Sequence, residues 1–129
     1  RIQEHLGAIR GVDLRLDSWD AINQHDPVKS QELLEWADVI ICEWFCNNAI
    51  WYSERKRDNQ KLIVRLHRFE LYGQYPHKAT FSNIDHVVFV GDYYRDEAIA
   101  RLGWSPEKLQ VIPNWVDTKM MNLEKVPNA

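Results

Sequence analysis

His67 follows the apolar run Leu62-Ile63-Val64-Arg65-Leu66, and Glu43 follows Asp38-Val39-Ile40-Ile41-Cys42. An imidazole donates, accepts or relays a proton near neutral pH. A carboxylate beside it can orient the ring or contact a substrate hydroxyl. Arg65 and Arg68 flank the histidine, and a guanidinium suits a phosphate or carboxylate on a substrate. Arg65 shares a face with His67 only if the strand stays extended that far, so Arg68 is the arginine expected in a cleft. Each residue also has a plainer use. His67 can tie a loop down, and Glu43 can cap the next helix. Cys42 and Cys46 lack a third ligand for zinc; two reduced thiols are expected, which implies a reducing compartment. Asn114 and Asp117 follow Pro113, where the chain must turn, and such side chains hydrogen-bond turn backbone. They are expected to be structural turn residues.

The elements that must position these residues repeat. Apolar, β-branched runs begin at Asp38, Leu62, His86 and Leu109, at intervals of 24, 24 and 23 residues. Amphipathic stretches lie between them. Continuous apolar strands alternating with helices mark a parallel sheet buried on both faces. The expected fold is therefore an α/β three-layer sandwich with a Rossmann-like, mostly parallel sheet and helices on both faces. Ligands of such sheets sit at the carboxyl ends of the strands, which is where His67 and Glu43 stand. Upstream, Gln3 to Arg10 reads as a helix end stopped by Gly11. Val12-Asp13-Leu14-Arg15-Leu16 alternates strictly and predicts a strand with one wet face near the sheet edge. Ser30 is expected to cap a short helix through Ala37, with Leu33, Leu34 and Trp36 facing inward, and Asn47 or Asn48 to cap the next. His67 to Asn83 has no clean period and reads as a long irregular insertion, often a functional feature. Asp92 is expected to cap a helix that carries Ala98, Ile99 and Leu102 on one face and ends at Gly103.

Composition bounds the function. A net charge of −3 and a pI near 5.9 argue against nucleic-acid binding by charge alone. No run approaches 18 apolar residues, and the opening Arg1-Ile2-Gln3-Glu4-His5 lacks the apolar core of a signal peptide. The absent initiator Met suggests a piece of something longer, and the last residues read as the start of a linker.

The segment His86–Asp117 resembles the second half of the amino-terminal domain of retaining, GT-B-fold glycosyltransferases of the group 1 (family 4) type. The resemblance is carried by a strand, a helix ending in Leu102-Gly103, the turn Pro106-Glu107-Lys108, and Val111-Ile112-Pro113-Asn114 followed by Val116-Asp117. Leu62–His67 is similar to that family's Thr-x-His strand end, and Ala37–Glu43 to the strand before it. Two positions depart from the pattern: Trp115 stands where the family usually has Gly, and Gly91 where it commonly has Ser.

The resemblance implies a transferase that moves a sugar from a nucleotide-sugar donor to a sugar, lipid or protein acceptor with retention of configuration. It implies that 1–118 is part of the acceptor-side domain and that 119–129 begins a linker to a missing carboxy-terminal domain that holds most of the donor. The fragment alone is then expected to be inactive. His67 becomes the catalytic candidate, with Glu43, Arg68 and Tyr72 as acceptor-binding candidates, and Tyr75 and His77 as further aromatics able to line that site. No cofactor, metal or nucleic acid is expected. The full-length enzyme is expected to be cytoplasmic, with peripheral membrane association as an option. The alternatives are a non-catalytic doubly wound binding module and a GT-B-fold sugar epimerase.

Overall fold

The computed structural model describes residues 2–21 and 24–114. Four strands, β1 (Val39–Cys42), β2 (Lys61–Leu66), β3 (His86–Phe89) and β4 (Leu109–Val111), form one sheet in the order β1-β2-β3-β4. Every pairing is parallel, with Cys42 level with Val64, Leu66 with Phe89 and Phe89 with Val111. The 24-residue period thus corresponds to one strand plus its crossover, giving an α/β, Rossmann-like sheet.

The crossovers are α3 (Asn47–Arg55) between β1 and β2, then α4 (Arg68–Leu71) and α5 (Tyr75–Lys78), then α6 (Asp92–Leu102) between β3 and β4. The segment from His67 to Asn83 is therefore not irregular: it holds two single-turn helices and a 3-10 turn at Phe81–Asn83. Pieces this short are too brief to show a helical period in sequence. Gly103 takes φ 66 and closes α6 as a left-handed cap.

Burial of the sheet is one-sided. Ile40, Cys42, Leu62, Val64, Leu66, Val87, Phe89 and Leu109 are buried, whereas their neighbours Val39 and Ile41 are exposed and Ile63 and Val88 half-buried. Topology supplies the reason. Each crossover steps one strand in the same direction, and right-handed crossovers stepping one way place their helices on one face. Phe45, Ile84, Leu71 and Ala98 complete the sealed side, where Trp104 stacks on Phe81 at 4.6 Å and on Phe45 at 5.6 Å. Each large side chain buried there contributes roughly 1.5–3 kcal/mol.

The amino-terminal part departs from expectation. Helix α1 (Ile2–Ala8) is present, but Val12–Leu16 forms no strand. Val12, Leu14 and Leu16 are exposed; the alternation is real, yet no ladder pairs with it. Helix α2 (Pro27–Trp36) begins before Ser30. Asp26 is its cap, accepting hydrogen bonds from the Val28 and Lys29 N–H groups, and Pro27 takes the first helical position, where its missing N–H costs nothing. Ser30 is instead buried within the helix. Leu34 faces inward as expected, but Trp36 is exposed and carries the Arg15 guanidinium over its ring at 4.1 Å. Cys46 and Gly91 hold the cap positions of α3 and α6. Asn48 serves α3 from inside, its Oδ1 accepting the Cys46 and Ala49 N–H groups.

Candidate functional site

The register sets the geometry at the carboxyl ends of β1 and β2. Cys42 pairs with Val64, so Glu43 continues level with Arg65 rather than with His67. The Arg65 guanidinium accordingly donates to Glu43 Oε1 at 2.9 Å. Its other amino group donates to Asn114 Oδ1, so Arg65 links the end of β1 to the exit of β4. Asn114, expected to brace a turn, has its side-chain oxygen on this arginine; Asp117 and Trp115 lie outside the described residues. Because β2 stays extended to Leu66, Arg65 keeps the strand phase, and it is Arg65 that joins Glu43. Arg68 falls in the first turn of α4 and is exposed.

His67 caps α4. Its Nε2 lies 4.0 Å from Glu43 Oε1, and its ring stacks on Trp44 with centroids 3.9 Å apart and planes 25° from parallel. Trp44 is 48% exposed, so the pair sits at a solvent-facing rim. On its inner side the ring meets Glu70. That carboxylate is fully buried, and its Oε1 accepts the Phe45 N–H at 2.9 Å and the His67 N–H at 3.2 Å while lying 3.5 Å from His67 Nδ1. One acidic side chain thereby ties together the loops that follow β1 and β2. Sequence reasoning passed over Glu70. The available signal was its place three residues after a helix cap, the spacing of a capping box, which α4 forms.

Tyr72 does not enter this cluster. It closes α4 with its ring under the Arg101 guanidinium of α6, at 4.8 Å. The cysteines are free and buried. Burial pushes Cys42 up to about 12, with the Asp17 charge adding to it, and burial with the Glu70 charge pushes Cys46 up to about 11. Neither is a thiolate nucleophile near neutral pH.

A cavity of about 540 Å³ runs beside β1, lined by Leu6, Leu14, Leu16, Trp36, Val39 and Ile41 among others. It meets the polar cluster only at Glu43 and Arg65 and does not reach His67. Asp17, also on its wall, accepts from Ser30 and Tyr52 hydroxyls at 2.6 Å each and from the Trp19 indole at 3.1 Å. That network anchors the amino-terminal segment to α2 and α3. Among the described residues no group of three His, Cys, Asp or Glu side chains could hold a metal ion, and no helix is long and apolar enough to cross a membrane.

The arrangement can therefore hold a polar ligand at the strand ends: a histidine between two carboxylates, one of them paired with an arginine, beside an exposed indole. No curated protein and no solved structure matches the chain. The family model for Glycosyltransferase Family 4 matches residues 19–120, a span that contains all four strands and every residue of this cluster. On that match the chain belongs to Glycosyltransferase Family 4.

Proposed function

We propose that the chain is the acceptor-side domain of a retaining glycosyltransferase that takes its sugar from a nucleotide diphosphate donor. The observation that carries this reading is His67, set between Glu43 and Glu70 at the carboxyl end of a central parallel strand, in a chain of glycosyltransferase family membership. His67 hydrogen-bonds the transferred sugar or the acceptor hydroxyl. Glu43 and the exposed face of Trp44 receive the acceptor, because an indole face stacks well on a sugar ring. Arg68 and Tyr72, further along the same edge, contact more distant parts of the acceptor, be it sugar, lipid or protein. Catalysis rests on positioning and on stabilising the departing diphosphate, for which a second domain supplies most of the donor contacts. The enzyme works in the cytoplasm, where a lipid acceptor would bring it to a membrane surface.

Titration calorimetry of this chain with a panel of UDP- and GDP-sugars tests the division of labour. Binding no tighter than millimolar, about −4 kcal/mol, and no sugar transfer by the chain alone are expected. Micromolar binding would place the donor in this half and overturn the assignment.

A further inference from the structure

Two buried polar atoms of the site lack a hydrogen-bond partner: His67 Nδ1 and Glu70 Oε2. The other Glu70 oxygen lies 3.5 Å from the same Nδ1. An ionised carboxylate only accepts hydrogen bonds, and a neutral imidazole carries one donor and one acceptor nitrogen. An unprotonated Nδ1 would therefore set a lone pair against a carboxylate at an atom shut off from water, where uncompensated polar contacts are costly.

The geometry points to Glu70 as a positioning residue that holds His67 in the Nδ1–H form, leaving Nε2 as a bare acceptor for a substrate hydroxyl. This rests on the glycosyltransferase reading of the same site. It also gives the imidazole a direction: Nε2 receives a hydrogen bond from the sugar or acceptor rather than giving one.

Two groups compete with Glu70 for the ring. Glu43, from the end of β1, lies 4.0 Å from Nε2 and would favour a proton there. Its Oε1, however, is already taken by Arg65 at 2.9 Å, and its side chain is 44% exposed, so water weakens its pull. The Glu70 backbone N–H, at the start of α4, is directed at the His67 side chain in the capping box and would favour a bare Nδ1. That N–H already donates to the His67 carbonyl at 3.2 Å. Glu70 is the fully buried carboxylate of the two, and its partner bonds are the ones strengthened by low dielectric.

The test is the imidazole tautomer, read by long-range ¹H–¹⁵N correlation on the ¹⁵N-labelled chain with the ring neutral. Wild type is expected to show His67 mainly as Nδ1–H. In E70Q the amide carbonyl can keep the Phe45 and His67 N–H bonds at the Oε1 position, but the negative charge that holds the Nδ1 proton is gone. The Nε2–H share of the ring should then rise, with the melting temperature little changed. E43Q should leave the tautomer as it was. An Nε2–H ring in wild type overturns the proposal without needing any variant to fold. So does a tautomer that follows E43Q instead of E70Q. Sugar transfer is not the readout, so an Nε2–H ring in an enzyme that transfers sugar sinks only the role of Glu70. An Nδ1–H ring in a protein without transferase activity would sink only the functional reading.

Discussion

Replacing His67 by Ala separates a catalytic histidine from one that merely braces a loop, because the two losses differ in size. The side chain is 22% exposed and does not fill the core. Its removal forfeits the stack on Trp44, about 0.5–1.5 kcal/mol, and leaves the buried Glu70 without the ring beside it. Glu70 still accepts the Phe45 and His67 N–H groups, so that second cost is held to roughly 1 kcal/mol. The total is about 2 kcal/mol, a fall in melting temperature of roughly 8 °C for a domain of this size. Against a native stability of at least about 5 kcal/mol, some 99% of the molecules remain folded at 25 °C. Unfolding therefore cannot account for more than a few per cent of lost activity. If His67 hydrogen-bonds the transition state, kcat of the complete enzyme should fall by roughly 10²-fold, about 2.7 kcal/mol. Glu43→Gln, which keeps the shape and one acceptor oxygen, should lower it less. Turnover and thermal melting are measured on the same preparations. Near-normal turnover in His67→Ala refutes the catalytic role. Lost turnover with a collapsed melting transition refutes the separation argued above and returns His67 to a structural post.

Two further outcomes concern the scaffold. Asp17→Asn weakens two short hydroxyl bonds to a charged acceptor and should cost about 1–2 kcal/mol in urea unfolding, discounted for the partial exposure of Asp17. Burial and the Asp17 bond both hold the Tyr52 phenol well above its ordinary range, so the variant should also bring one tyrosine down in an ultraviolet titration; no change in either measurement would refute the hub. The thiols make an alkaline prediction: with Cys42 at about 12 and Cys46 at about 11 in the fold, against about 8.5 in an unfolded chain, the unfolded state loses protons first. Their contribution is therefore intact below about pH 8.5 and declines from there through the folded values. The urea midpoint should drop between pH 8 and pH 10, while a thiol reagent at pH 8 labels Cys42 and Cys46 only in urea; rapid labelling of the native chain would contradict their burial.

What sequence could show here divides along the range of the forces involved. The four strands were legible because their β-branched runs and spacing are local, and topology then follows from the handedness of parallel crossovers. His67 and Glu43 were legible for the same reason, since a strand end is a local event. Val12–Leu16 misled because alternation records which side of a chain is wet, whereas a strand exists only if another backbone offers it a ladder. The contest between Arg65 and Arg68 turned on whether β2 stayed extended through Leu66, a matter of pairing with β3 at Phe89, and no periodicity in five residues decides it. Glu70 left only its capping-box spacing as a signal, and its bond to the Phe45 N–H bridges 25 residues. The same limit hid the Asp17 network, whose bonds to Ser30 and Tyr52 bridge 13 and 35 residues. The cluster around His67 is thus half local and half long-range. The local half sets an imidazole and a carboxylate at neighbouring strand ends. The long-range half, Arg65 on Glu43 and Glu70 beside Nδ1, sets the charges on the two sides of that imidazole.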